Sequence, residues 1–506
     1  MKKILASILF VCSSLIYAQD SYTPINLGPA INTKNGEGQS VISADGKEIY
    51  FWRELFRQSL GTTVQSAWYS KQDSTGKWST AKFMNKPFNV GMVSSGIFNV
   101  SPDNNSILIR GYFKNSERLR SGLSMVTRGQ RGWNDPVGLE IPGYGDLEKG
   151  KYSGAFLMPD GKGVIIYLSE TVDATNMDLY VSFKKEDNTY TAPAYIKALN
   201  TSNDESTPFI ASDNKTLYFS SNREGTLGSN DIWKTTRLDD TWQNWSKPQN
   251  LGPTINSSDW DAYFSLDAKG EYAYMTSSKN SIGGSDIVKI KLAVENKPEP
   301  VVLIKGKVLN KNTSLPIEAK ISYENLVTGL NVGTAISNPI TGEYQIALPY
   351  GINYGFNASA SNFISISDNI DLTAVSEYKE IIRDLYLVPI ETGQVIRINN
   401  IFFEFAKADL KSESFSELDR IVKLMEQNPT MEIALGGHTD NVGSEESNLK
   451  LSTDRSRAVL NYLISKGIAQ SRISSSGFGK SKPVVENNTE ENRALNRRVE
   501  FTIVKI

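Results

Sequence analysis

The chain has 506 residues, with 54 Lys+Arg against 56 Asp+Glu and 39% hydrophobic residues, enough nearly neutral globular sequence for several domains. That balance argues against a nucleic-acid coat or a basic membrane patch. One Cys and one His exclude disulfide frameworks, Cys-ligated zinc and any site built from several His ligands.

Lys2 and Lys3 precede an apolar run over residues 4–18, followed by Gln19 and Asp20. A positive start, a short apolar core and a small last residue predict a signal peptide over residues 1–18, cut after Ala18. Cys12 leaves with it; bulky Leu9, Phe10 and Val11 do not make a lipobox. No later stretch has 18 consecutive apolar residues, so an exported chain without a transmembrane helix is expected.

A turn with a central Asp then recurs at Asp45, Asp103, Asp160, Asp213 and Asp267, spaced 58, 57, 53 and 54 residues apart. Each is followed by a β-branched or aromatic run, such as Ile49-Tyr50-Phe51-Trp52 and Leu217-Tyr218-Phe219, then by a second run. An aromatic residue with Pro three later recurs as Trp133/Pro136, Tyr190/Pro193 and Trp245/Pro248. Short strands between Asp/Gly/Asn turns at a fixed period predict four-stranded antiparallel blades. The segment from Pro24 to Asn32 repeats almost letter for letter from Pro248 to Asn256, an offset of 224 residues or four repeats of 56. The N-terminus is therefore expected to supply the missing last strand of the fifth repeat and remove a sheet edge. The expectation is a five-bladed β-propeller over residues 20–293. Asp213 to Arg223, followed by Asp231-Ile232-Trp233, resembles the propeller repeats of TolB-like periplasmic proteins, which implies a protein-interaction platform.

Residues 294–300 are polar and Pro-rich, a semi-rigid linker. Alternating runs over 302–308, 316–321 and 342–351 predict a small β-sandwich over 301–389. The stretch resembles the transthyretin-like, carboxypeptidase-regulatory-like domain and implies a spacer without chemistry.

From residue 396 strands and helices alternate, predicting an α+β domain over 390–506 with strands near 398–405, 431–436, 472–478 and 498–504. Ser414 with Glu417 reads as a capping box for a helix whose apolar face is Phe415, Leu418, Ile421, Val422 and Met425. A second helix is expected over 447–466 and a short one over 490–495. On the second, Leu451, Ala458 and Tyr462 share a face with Arg455, a guanidinium that needs an anion if buried. Asp440 is the nearest candidate. The two make either an internal ion pair or a split site for a zwitterion, with Arg455 on a carboxylate and Asp440 on an ammonium.

Four motifs bear on this choice: Gly437-His438-Thr439-Asp440-Asn441-Val442-Gly443, Asn448 to Arg455, Gly477-Phe478-Gly479 and Asn496-Arg497-Arg498-Val499-Glu500. In this order they closely resemble the OmpA-like peptidoglycan-binding domain. The resemblance implies that Asp440 and Arg455 hold the diaminopimelate of the cell-wall stem peptide. Thr439, Asn448 and the loop after Phe403-Glu404-Phe405 would support them. Ser447 and Ser456 depart from the family's aromatic and Ala at those positions.

Signatures of serine hydrolases and dinucleotide binding are missing, and Gly479-Lys480-Ser481 lacks the first Gly of a phosphate loop, since position 474 is Ser. One enzymatic alternative is a wall-tethered propeller glycosidase using axial carboxylates, with Asp204, Glu205, Asp259 and Asp261 as the available acids. The favoured expectation is a multidomain, mostly β, non-enzymatic envelope anchor without cofactor or metal. It would sit in the periplasm, associated with the cell wall and outer membrane, and hold a protein partner through the propeller. The domain order looks like that of exported envelope proteins of Bacteroidetes, some tied to type IX secretion.

Overall fold

The computed structural model describes residues 23–506 except 60, 91, 92, 95, 279, 280, 365, 405 and 406. The expected signal peptide lies outside the described residues. The chain is mostly β and divides into two compact units: Met1–Lys305 with Gln345–Tyr350 and Ser376–Ile381, and Gly306–Tyr344 with Gly351–Val375 and Ile382–Ile506.

The first unit contains five antiparallel sheets of four or five strands, four of them built from consecutive strands. The third is the plainest: Gly154–Leu157, Gly163–Leu168, Asp178–Phe183 and Ala194–Tyr195, in that order. The repeated Asp has a physical reason. Its carboxylate accepts the backbone N–H two residues on, as in Lys47→Asp45 (3.1 Å), Asn105→Asp103, Lys162→Asp160 and Lys215→Asp213 (2.9 Å each), which closes the turn between the first two strands. At Asp267 the donor is Gly270, three residues on. The recurrent aromatic closes the turn between the third and fourth strands, where Trp78, Tyr190 and Trp245 bridge back to Gln72, Lys184 and Arg237.

The fifth sheet is completed from the other end of the unit: Ile25 and Asn26 pair antiparallel with Lys289 and Val288. The reason lies in Asn32. Its side chain bonds both main-chain groups of Ile287, donating to the carbonyl at 2.9 Å and accepting from the N–H at 2.9 Å. Asn256 does the same to Ile232, Asn200 to Leu179 and Asn89 to Ala67. The near-identical repeat thus marks one clamp, seen on four of the five sheets. First strands of all five sheets line a common cavity through Val41, Phe98, Phe156, Phe209 and Ser265.

In the second unit, Asn331–Ile336, Lys320–Asn325, Asn353–Ser359 and Ile366–Asp371 form an antiparallel sheet in that order. The strand expected from residue 316 begins at Lys320. Beyond lies a four-stranded sheet ordered Val395–Ile398, Val499–Lys505, Glu432–Gly437 and Ile473–Gly477, its last pair parallel, with two long helices, Phe415–Gln427 and Glu445–Ser465. Leu418, Ile421, Val422 and Met425 are buried in its core as expected, while Phe415 is exposed. Among the described residues, no helix is long and apolar enough to cross a membrane.

Three local expectations fail here for identifiable reasons. The first strand stops at Ile398 instead of reaching Phe405, and the next buried polar side chain, Asn400, donates to the Asp368 carbonyl. Ser414 makes no capping bond because its hydroxyl is engaged by the main chain of Phe402, accepting from the N–H and donating to the carbonyl. The face of the second helix that is buried is Asn448, Ser452, Ser456, Val459 and Leu463, not Leu451, Ala458 and Tyr462.

Candidate functional site

The site forms where the strand Glu432–Gly437 ends and the helix Glu445–Ser465 begins. Close approach of the two requires glycine: a Cβ at Gly437 or Gly477 would strike the helix at Ser452 and Thr453. This explains the small residue Ser452 on the buried face. Ser444 caps the helix, its hydroxyl accepting from Ser447 N–H at 3.2 Å.

Past the strand, Thr439 N–H donates to Gly479 O (3.0 Å) and its hydroxyl to Asp440 O (3.0 Å). Asn448 donates its amide to Val442 O at 2.9 Å. Both side chains are buried, so they brace the loop that carries Asp440. Asp440 accepts from Val442 N–H (3.0 Å) through one oxygen and from Arg497 Nη1 (2.7 Å) through the other. The expected internal Asp440–Arg455 pair is not what forms: Arg497 is the cation on Asp440, and it also reaches Glu490 at 2.7 Å. Arg497 follows the short helix Glu490–Asn496 and stands inside a motif singled out in the sequence, which was the available signal.

Arg455 is half-buried beside this pair. Its Nε donates to Lys407 O at 3.1 Å, and its guanidinium lies 4.8 Å above the Phe403 ring. Among the described residues its terminal nitrogens find no acceptor. Burial lowers its pKa from the ordinary value, repulsion from Arg497 adds to this, and Asp440 opposes it. Arg497, claimed by two carboxylates, is pushed the other way. Arg455 is thus a half-buried cation whose terminal nitrogens are uncommitted among the described residues, with the Asp440 carboxylate acting on it. Phe405, named for the supporting loop, lies outside the described residues.

His438 is buried against Phe478 (ring centroids 5.2 Å apart), with Nε2 3.1 Å from Glu500 Oε1 but off the ideal hydrogen-bond line. His438 beside it, helped by Arg498, holds Glu500 down to about 2.

The acids of the glycosidase alternative are engaged elsewhere. Asp204 accepts from Met177 N–H and Asn230, Glu205 from Thr201 and Arg223, Asp261 from Ser257, and Asp259 from Ser278. The cavity shared by the five sheets is lined by neutral side chains, so it offers no carboxylate pair for glycoside hydrolysis.

Residues 402–497 match the OmpA family. Outer membrane porin F of Pseudomonas fluorescens is 39% identical over 112 residues, 22% of this chain and 34% of the porin. Outer membrane protein A of Bordetella avium is 44% identical over 112 residues, 22% of this chain and 58% of that protein. Peptidoglycan-binding protein ArfA of Mycobacterium tuberculosis is 36% identical over 96 residues, 19% of this chain and 29% of ArfA. The chain thus spans between about a third and about three fifths of these curated relatives' length.

Proposed function

We propose, from the premise that residues 402–497 are an OmpA family domain, that this protein is a non-enzymatic cell-envelope anchor. Its C-terminal domain holds the diaminopimelate-bearing stem peptide of peptidoglycan, in the periplasm at the cell wall and outer membrane. The observation that carries the reading is the uncommitted, half-buried Arg455 fork beside the Asp440 carboxylate. Arg455 grips the ligand carboxylate bidentately and Asp440, shared with Arg497, accepts from the ammonium on the same carbon. Thr439 and Asn448 hold the loop in place. The similarity to a relative named as peptidoglycan-binding supports this assignment.

The five sheets of the first unit are read as a five-bladed propeller, supported by their shared cavity and by the N-terminal strand in the fifth sheet. With neutral axial side chains, it serves as a platform for an envelope protein, with the carboxypeptidase-regulatory-like sandwich as spacer. A component of the outer membrane or of type IX secretion fits that role.

The test is sedimentation of the full-length chain with purified sacculi. Asp440→Ala and Arg455→Ala are each expected to fold normally by circular dichroism and to bind at least about tenfold more weakly, the loss of one charge-assisted contact. Undiminished pelleting of Asp440→Ala contradicts the assignment.

A further inference from the structure

The first unit has two unlike faces. One gathers the Asp turns: Asn214 donates to Asp160 of the neighbouring turn at 2.8 Å, and Ala268 N–H to Ala44 O at 2.8 Å. This face is occupied by the chain itself. Tyr218 donates its hydroxyl to Asn296 O (2.6 Å), Lys234 reaches Lys297 O (2.8 Å), and Glu299 N–H donates to Asp213 (3.0 Å).

The opposite face carries the connections between second and third strands, because antiparallel order puts them at the other end of every sheet. At or within a few residues of these five connections stands one large apolar side chain per sheet: Phe56, Leu119, Val172, Leu227 and Ile282. Each is between 51 and 69% exposed. Single exposed apolar residues are ordinary. One in every repeat, at the same connection while the surrounding sequence differs, is a pattern. Neighbouring segments of that face add Tyr152 and Trp260, also exposed, and Trp260 bridges to Asn230 of the fourth connection.

Charge around these side chains is divided. The second hairpin carries Lys114, Arg118 and Arg120 against Glu117, and the first carries Arg57; the third connection carries Glu170 and Asp173 with Lys149 and Lys151 alongside, and the fourth carries Glu224. An anionic lipid surface calls for one sign of charge throughout. A protein surface matches two signs in register.

We infer that this face docks a protein partner whose apolar contact is flanked by acidic groups over the basic side chains of the first two sheets and by basic groups over Glu170, Asp173 and Glu224. The inference rests on the reading of the five sheets as an interaction platform and adds the face and the chemistry of the partner. An apolar centre with a charged rim is the usual anatomy of such a contact.

The test places a photo-crosslinking benzoylphenylalanine in the full-length chain, in cells, at Phe56, Val172 or Leu227, with controls at Ser74 and Glu186 on the Asp-turn face. The expected result is one and the same protein adduct from the three connection positions and none from the controls. That protein, identified by mass spectrometry and purified, should bind the full-length chain at least tenfold more weakly after combined Phe56→Ser and Leu227→Ser. It should also weaken after Lys114→Glu with Arg118→Glu, with sacculus pelleting unchanged throughout. Adducts from the controls alone overturn the face and leave the platform standing; no adduct anywhere overturns both. Adducts only to a second copy of this chain, or binding of the wild type to phosphatidylethanolamine–phosphatidylglycerol vesicles that the double substitution abolishes, overturn the inference. Loss of sacculus binding in Asp440→Ala is read separately and concerns only the wall anchor.

Discussion

Glu500 is a carboxylate whose chemistry is set by its surroundings. His438 and Arg498 keep it ionised down to about 2 from an ordinary 4.5, so the folded state releases this proton more readily than the unfolded chain. A depressed carboxylate contributes stability that is complete above about pH 4.5 and is lost as pH falls from there towards 2. Urea unfolding of the full-length chain at pH 5 and pH 3 should therefore show a C-terminal transition that weakens on acidification. In Glu500→Gln about 2 kcal/mol of that acid-linked loss should disappear. An equal acid response in wild type and mutant contradicts the linkage. The neighbouring site was legible in part. Asp440 and Arg455 stand out as charges inside spaced motifs, but a sequence cannot say which of two arginines a carboxylate chooses, and Arg497 arrives from 57 residues downstream. The second helix misled for a similar reason. Its buried face includes the polar residues Asn448, Ser452 and Ser456, which an apolar pattern search passes over, and Ser452 is small enough to meet Gly437 and Gly477.

Among elements, the asparagine clamp governs how the sheets of the first unit are completed. Removing it leaves a buried N–H and a buried C=O without partners, a penalty of about 2–3 kcal/mol. Asn32→Ala and Asn256→Ala should therefore destabilise the first unit by similar amounts in urea titration, although one clamp joins distant parts of the chain and the other neighbouring strands. A silent Asn32→Ala beside a costly Asn256→Ala contradicts the equivalence. Deleting residues 22–33 removes clamp and strand together and should lower stability by several kcal/mol, a large share of an ordinary domain's margin. The Asp turns were legible because their chemistry is local, confined to Asp45 and the residues just after it, and repeated. The clamp was visible only as the copied segment ending in Asn32 and Asn256, since its partners, Ile287 and Ile232, carry no sequence mark. Ser414 shows the converse: a complete capping signature whose hydroxyl is taken by Phe402, 12 residues upstream.

At the scale of the whole molecule, two compact units predict two calorimetric transitions. Meso-diaminopimelate, binding only folded C-terminal domain, should raise one of them and leave the other in place, by about 2.7 kcal/mol of stabilisation at a hundredfold excess over Kd. A concerted upward shift of both contradicts this. The fifth sheet carries a further consequence, in time. Asn26 donates to Asp286 across 260 residues of sequence, so the earliest strand of the unit has no partner until nearly all the rest has been made. During synthesis the strand Ile25–Asn26 is made before its partner strand, and the two pair only afterwards. Until then the strand Asp286–Lys291 has an open edge, and the segment that will cover it is an untethered tail. Completion of this unit is the late capture of the strand Ile25–Asn26, and anything that withholds that strand decides whether the last sheet is ever finished.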